Sequence, residues 1–486
     1  MLKRQYQYDA VGQLTDIHDT RRGHLSYQYD PVGRLLQATS RLGVETFAFD
    51  PAGNLLDDKA QELNRPLESD PRRNKLMDNL LREYAGTHYQ YDERGNLIHR
   101  LHNGEKARLS WDLFDRLVRF DDDKLSVVYS YDALGRRLHK HSTAHHQDDP
   151  RAGSGWNQMQ RAKRQRELGC GYTLYGWDGD NLAWESSPPQ GEGETGRTVH
   201  YLYEPGSFVP VVQAQRNNPI RLLRQPDWSD REYDFDQDPL WHTEVKPQAF
   251  DAILWYQCDH LGTPMELTDH NGEMAWTAQY KAWGEVKETR SEWAKQVGLS
   301  NPIRFQGQYH DHETGMHYNR YRYYDPRAGR FINQDPISYG GGLNLYEYAA
   351  SSTGWVDPLG LAKNKYGVGA NTAGKDVLAR GVHVNVEGPG LPRKGGHVSL
   401  QPDADGKHVK LAPADKATRD MSPSQWRNAC EAVSGHLDDP KNVDRLAKSA
   451  QSGIDENPKS NRVSELTEVK GILQRHHMQG TNPVKR

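Results

Sequence analysis

Apolar or aromatic residues alternate one by one with polar ones in short runs such as LSYQYD, THYQYD and VVYSYD. This is the period-two pattern of strands with one buried face. The runs end on one recurring phrase: YDAVGQL at Tyr8, YDPVGRL at Tyr29, FDPAGNL at Phe49, YDERGNL at Tyr91 and YDALGRR at Tyr131. The first three begin 21 and 20 residues apart. WDLFDRLVRF starts at Trp111, 20 residues after Tyr91 and 20 before Tyr131, so the register survives where the motif decays. In each unit an aromatic ends a strand, Asp caps a turn with its side chain, Gly takes a positive φ and an apolar residue opens the next strand. One hairpin per repeat is predicted. Hairpins recurring every ~20 residues cannot bury their faces alone, so they are expected to stack into one long coiled sheet.

Two stretches depart from this pattern. Residues 141–168, rich in charge and histidine, predict a loop or helix projecting from the sheet, and SSPPQGEGETG at 186–196 predicts a surface loop. The pair His145 and His146 is weak as a metal site. After Leu361 the repeat stops altogether. Three short alternating strands, HVNVE, GHVSLQ and KHVKLA, are followed by three helical stretches. The first, SPSQWRNACEAVSGHL, has Ser422 as cap, Pro423 in the first turn and Trp426, Ala429, Val433 and Leu437 on one face. NVDRLAKSAQSGI and SELTEVKGILQRHH are the others, and together they predict a small α+β domain.

Composition narrows the picture. A chain of 486 residues exceeds one core, and 35% hydrophobic content with a mean hydropathy of −0.94 is offset by 25 Tyr and 12 Trp. Amphipathic aromatics are expected to form much of the core. No apolar run approaches the ~18 residues of a membrane span, and MLKRQYQYD has no signal-peptide core. Cys170, Cys258 and Cys430, odd in number and far apart, argue against a disulfide framework or a cysteine-based zinc site. Charge is unevenly shared: residues 362–486 hold 20 Lys and Arg against 14 Asp and Glu, and residues 1–361 hold 42 against 52. A basic tail on an acidic body predicts that the tail meets a polyanion.

The repeats are YD repeats, and the chain resembles the C-terminal part of an Rhs (rearrangement hotspot) protein. Residues 250–361 extend the resemblance through QCDHLGTPMELTD, WGEV, IRFQGQYHDHETGMHYNRYRYYDPRAGRFINQDPI, GGLNLYEYA and WVDPLGL, in the order of the Rhs-associated core. The resemblance implies a mainly β fold in which the YD sheet coils into a cocoon, here incomplete, enclosing a C-terminal toxin. It divides the chain into a shell at 1–249, a core at 250–361 and a toxin at 362–486. It also implies a gene truncated at its N-terminus, because the body opens in mid-repeat at Met1. Self-cleaving members carry two Asp-Pro dipeptides, here at Asp335 and Asp357, 22 residues apart. These would form an aspartyl-type autoprotease cutting between Leu361 and Ala362, with Arg322, Asp325 and Arg330 in support. Two carboxylates brought close cannot both ionise, so one remains an acid while the other activates water. DPISYG lacks a glycine that some members carry at its fourth position.

For the tail, the resemblance implies only a toxin, and its chemistry must be read from its residues. His383, His397 and His408 fall on neighbouring predicted strands, with Arg393, Lys394, Ser399 and Lys410 nearby. Alternation puts His397 with Ser399, and His408 with Lys410. Metal-free RNA cleavage needs a base for the 2′-hydroxyl, an acid for the leaving oxygen and cations for the phosphate, which these side chains supply. A ribonuclease without cofactor or metal is therefore expected. Two other enzyme readings stand beside it: a metal-dependent nuclease using His476 and His477, and an ADP-ribosyltransferase using Arg380 or His383 with Glu465 or Glu468. A non-enzymatic YD-repeat surface protein is a further alternative. The resemblance also implies a cognate immunity protein, a secretion spike or adaptor engaged through an N-terminal region, and contact-dependent delivery of type VI kind from the producer's cytoplasm.

Overall fold

The computed structural model describes residues 2–56, 76–77, 79–189, 195–243 and 248–361, and in the tail 367–370, 382–387, 396–403, 407–414, 416–419, 421, 429–430, 432–434, 436–437, 440–456, 463–479 and 483–484. It divides into two compact units: Met1–Arg4 with His18–Lys363, and Gln5–Ile17 with Asn364–Arg486.

The first unit is built on an antiparallel meander of fifteen strands, from Glu83–Tyr84 to Val286–Arg290, each paired to its neighbours in sequence. The predicted turn chemistry is realised. Asp92, Asp112 and Asp132 each accept, through Oδ1, the backbone N–H groups two and four residues on, at 2.8–3.0 Å. Gly95 and Gly135 take φ of 79° at the fourth position, and where the motif decays Asp115 takes φ of 57° instead. The aromatic that ends each strand has a second task. Trp111 Nε1 donates to Leu97 O at 2.7 Å, Tyr131 Oη to Leu117 O at 2.7 Å and Trp177 Nε1 to Arg137 O at 2.8 Å, stitching each hairpin to the one before it. The same turn recurs at Asp259 and Asp269. There Cys258 and Thr268 replace the aromatic, which hid these units from the motif.

Alternation decides the faces. In Leu125–Tyr131 the side chains of Leu125, Val127 and Tyr129 are buried, while Val128 between them is 42% exposed. The buried face packs on a small sheet of four strands, Tyr309–Asp311, Met316–Tyr318, Tyr323–Asp325 and Arg330–Phe331, in one core that holds Tyr309, Met316, Tyr318 and Tyr323. This core also takes charges. Asp311 accepts from Arg137 Nη1 at 2.6 Å and Lys140 Nζ at 3.2 Å, and Glu313 from Lys140 at 2.7 Å. The Arg137 guanidinium lies over the rings of Tyr175 and Tyr318 at 4.5 and 4.4 Å. Burial works against the Asp311 carboxylate, but Arg137 and Lys140 hold it below its ordinary value. A buried charge left unpaired would cost several kcal/mol, roughly, which explains why so polar a segment is buried only as a network.

The polar region after residue 140 differs in part from expectation. The strand Arg137–Ala144 runs through its start, because Leu125–Tyr131 pairs with it as far as Ala144, and a helix, Ser154–Glu167, follows. His145 Nε2 lies 2.7 Å from Ser126 Oγ and His146 Nε2 lies 3.7 Å from Asp148, and no metal-holding group of three side chains occurs among the described residues. Of 186–196, residues 190–194 lie outside the described residues.

In the second unit a four-stranded antiparallel sheet runs Gly367–Ala370, His383–Glu387, Gly396–Pro402, Val409–Pro413. Its first strand, GVGA, has no alternating polar residue and escaped the sequence pattern. Val384, Val398, Leu400 and Val409 pack with Ala429, Val433 and Leu437 and with the helices Pro440–Glu456 and Val463–Gln479. Ser422, Pro423 and Trp426 lie outside the described residues. Among the described residues no helix is long and apolar enough to cross a membrane, and none of the three cysteines is in a disulfide.

Candidate functional site

In the first unit, the chain turns sharply between Met316–Tyr318 and Tyr323–Asp325, and this turn grips the segment 357–361. Tyr321 N donates to Leu359 O at 3.0 Å, Asn319 Nδ2 to Asp357 O at 3.0 Å and Arg322 Nε to Gly360 O at 2.5 Å. Gly360 takes φ of 74°, and a Cβ there would stand 3.2 Å from the Cβ atoms of both Arg322 and Asn319. A side chain there would strain the backbone and push the grip apart by a few tenths of an ångström.

Arg322 is the centre of the site. Its Nη2 lies 3.0 Å from Asp335 Oδ2 and 3.1 Å from Asp357 Oδ2, so one nitrogen joins the two aspartates. All three side chains are nearly sealed from solvent. Asp335 starts a turn, accepting Ile337 N–H at 3.1 Å, while its own N–H donates to Leu345 O at 3.0 Å. Asp357 Oδ1 accepts the N–H groups of Gly360 and Leu361 at 2.9 and 3.0 Å. Burial pulls the Arg322 guanidinium down from its ordinary value, and Asp357 and Asp335 oppose that shift. The guanidinium also lies 3.6 Å over the Phe331 ring. Two carboxylates thus meet at one guanidinium nitrogen in a dry place.

The other two supporting residues are used differently. Asp325 Oδ1 accepts Arg327 N–H at 3.0 Å, and its other oxygen lies 3.7 Å from Arg100. Arg330 donates to Asn54 Oδ1 at 3.3 Å and to Asn79 O, under the Tyr346 ring. Of the three, only Arg322 joins the two aspartates directly through these contacts. Sequence reading missed Asn319, Gly307 and Tyr348. A Cβ at Gly307 would stand 1.9 Å from Pro358 O, and Asp357 N–H points to Tyr348 Oη at 3.5 Å. Their only signal was proximity to the Asp-Pro pair in the fold. Ala362 lies outside the described residues.

In the second unit the sheet gathers part of the predicted set. His383 stands opposite Ser399, and the His383 and His397 rings meet edge to face at 5.1 Å. His383 is fully buried, and Ser399 Oγ donates to Ala412 O at 3.2 Å. Lys410 pairs with Gln401 in register and is exposed. His408 goes elsewhere: its ring lies 5.3 Å from that of His476 on the last helix, whose Nε2 is 3.0 Å from Lys407 O. It lies just before Val409–Pro413, so strand alternation does not fix its direction. Arg380, Arg393 and Lys394 lie outside the described residues.

A family model described as RHS protein matches residues 253–290, and one described as teneurin YD-shell matches residues 1–147. Three curated relatives each cover 74% of this chain. They are "Double-stranded DNA deaminase toxin A" of Burkholderia cenocepacia at 35% identity, "Toxin protein Tse5" of Pseudomonas aeruginosa at 34%, and "Probable deoxyribonuclease RhsA" of Dickeya dadantii at 29%. The chain spans 22%, 27% and 21% of their respective lengths.

Proposed function

Because the chain belongs to the Rhs family of YD-repeat proteins, we propose that it is a self-processing toxin in which Asp335 and Asp357 hydrolyse the Leu361–Ala362 bond. The shell at 1–249 and core at 250–361 then hold a detached basic toxin, 362–486. The observation that carries this reading is the single Arg322 nitrogen shared by two buried carboxylates, one of which also grips Leu361 N–H. One carboxylate takes a proton from water as its oxygen bonds to the Leu361 carbonyl carbon. The other, protonated, delivers its proton to the Ala362 nitrogen as the C–N bond breaks. Arg322 balances the charge and positions both acids. The test is a gel of the full chain: fragments of about 361 and 125 residues are expected from the sequence, and a single band from Asp335→Asn or Asp357→Asn. An uncut wild type sinks the reading.

The toxin is read as a metal-independent ribonuclease. His397 supplies acid–base chemistry with the buried His383 ring against it, Ser399 lies on their face, and Lys410 with the tail's positive charge attracts phosphate. Two relatives are named for chemistry on DNA, a deaminase and a deoxyribonuclease, which supports nucleic acid as the substrate class of the tail. Cells expressing the full chain should lose intact RNA, and His397→Ala should restore it. Degraded DNA or ADP-ribosylated macromolecules would replace the ribonuclease by the corresponding alternative. The reading also calls for an immunity protein in the producer and for contact-dependent delivery through a secretion spike or adaptor.

A further inference from the structure

A polar cavity of about 1120 Å³ opens in the first unit, lined by Arg197 and Arg290 from the large sheet and by the segment 296–304. Two of its arginines are held in the same manner. Arg197 Nη1 donates to Gly298 O, and Arg290 Nη1 donates to Leu299 O at 3.0 Å. Adjacent carbonyls of one short loop thus anchor two guanidiniums by one nitrogen each. Each guanidinium has five N–H donors. Among the described residues neither has a carboxylate partner.

The acids of the same cavity are already engaged. Glu185 accepts the hydroxyls of Tyr201 and Tyr309 at 3.0 and 2.5 Å, and Glu313 accepts Lys140. Glu288 accepts Trp276 Nε1 at 3.1 Å and lies 3.6 Å from Arg304. Burial drives His310 down to about 3, so it adds no charge. Arg304 and Asn301, each 2% exposed, keep a buried nitrogen, Nε and Nδ2, with no hydrogen-bond partner. The lining carries Lys140, Arg197, Arg290 and Arg304 against Glu185, Glu288 and Glu313, so positive charge exceeds negative by one and N–H donors remain open. Guanidinium forks suit phosphate and carboxylate alike, but the volume and the number of arginines favour a ligand with several charged oxyanion groups.

We propose that this cavity is a binding site for a polyphosphate-bearing ligand, with Arg197 and Arg290 as its direct donors and Arg304 as the charge behind them. This site is independent of the self-cleavage reading. Its test is calorimetric titration of the full chain with inorganic tripolyphosphate. Saturable one-to-one binding is expected, weakened about tenfold or more by Arg197→Gln and by Arg290→Gln, and weakened less by Arg290→Lys. Glu288→Gln, which removes a carboxylate of the lining that faces Arg304, should tighten it. Melting curves of each variant separate lost binding from lost folding, and Arg290→Lys keeps the test decisive if a glutamine variant does not fold. A competing single-stranded RNA pentamer distinguishes the source of the phosphate. Displacement assigns a nucleic-acid backbone, and its failure assigns a free polyphosphate or nucleotide. No saturable binding, or binding that both glutamine variants leave within twofold, as expected were the ligand held by the basic tail, overturns the proposal.

Discussion

Gly307 faces the carbonyl of Pro358 so closely that a β-carbon at 307 would stand 1.9 Å from the oxygen. The contact is with backbone, so no side-chain rotation relieves it and the segment itself must shift. Gly307→Ala should therefore displace the 357–361 segment from Arg322 while leaving the large sheet intact. The expected result is slowed self-cleavage with near-normal circular dichroism, measured on the full chain over time after synthesis. Unchanged cleavage would mean that the segment tolerates movement.

Arg322 carries two buried carboxylates, so its loss should harm folding as well as cutting. Arg322→Met leaves both acids without their cation, and breaking a buried pair costs about 3–5 kcal/mol. A lowered urea midpoint together with loss of cleavage is expected. Asp357→Asn should abolish cleavage at a smaller cost, because its amide still offers an oxygen to the Gly360 and Leu361 N–H groups.

Asp311 plays the corresponding part where the small sheet meets the large one. Asp311→Asn removes the charge facing Arg137 and Lys140 in the core, with an expected loss of about 3–5 kcal/mol by urea unfolding. Asp132→Ala, in a repeat turn at the surface, removes an acceptor of two backbone N–H groups and should cost only about 1–2 kcal/mol. If the two variants cost the same, the buried network has been overvalued.

Acid should weaken the first unit before its carboxylates titrate. Burial holds His317 well below its ordinary value of 6.5 and His310 down to about 3. The unfolded chain binds protons at these positions below pH 6.5 and the folded chain does not, so stability falls as pH falls through that range. The slope is about 1.4 kcal/mol per pH unit for each histidine once fully in the window. Urea midpoints at pH 7.5 and 5.5 should show the loss, and His317→Asn should reduce it. A midpoint independent of pH would mean that these rings are protonated in the fold.

The sheet was legible because its information is local: Asp, Gly and an aromatic at fixed spacing specify each turn, whatever happens elsewhere. Where one of these was replaced, as at Cys258 and Thr268, the turn persisted and the motif did not. The aspartates and Arg322 could be nominated from the chain, but their meeting at one nitrogen depends on contacts spanning 13 and 35 residues, which no periodicity reports. Asp325 and Arg330 read as equals of Arg322 in sequence. Only folding turned one of them to the pair and the others to Arg100, Asn54 and Asn79. The predicted strand KHVKLA starts two residues before the observed Val409–Pro413 and so takes in His408.

Strands of the fifteen-stranded meander pair only with their immediate neighbours in sequence. Such a wall has no long-range crossover to satisfy, so it can be assembled hairpin by hairpin as the polypeptide leaves the ribosome. It can also gain or lose whole hairpins over evolutionary time without rewiring the remainder, which makes the length of the sheet an adjustable property of the architecture.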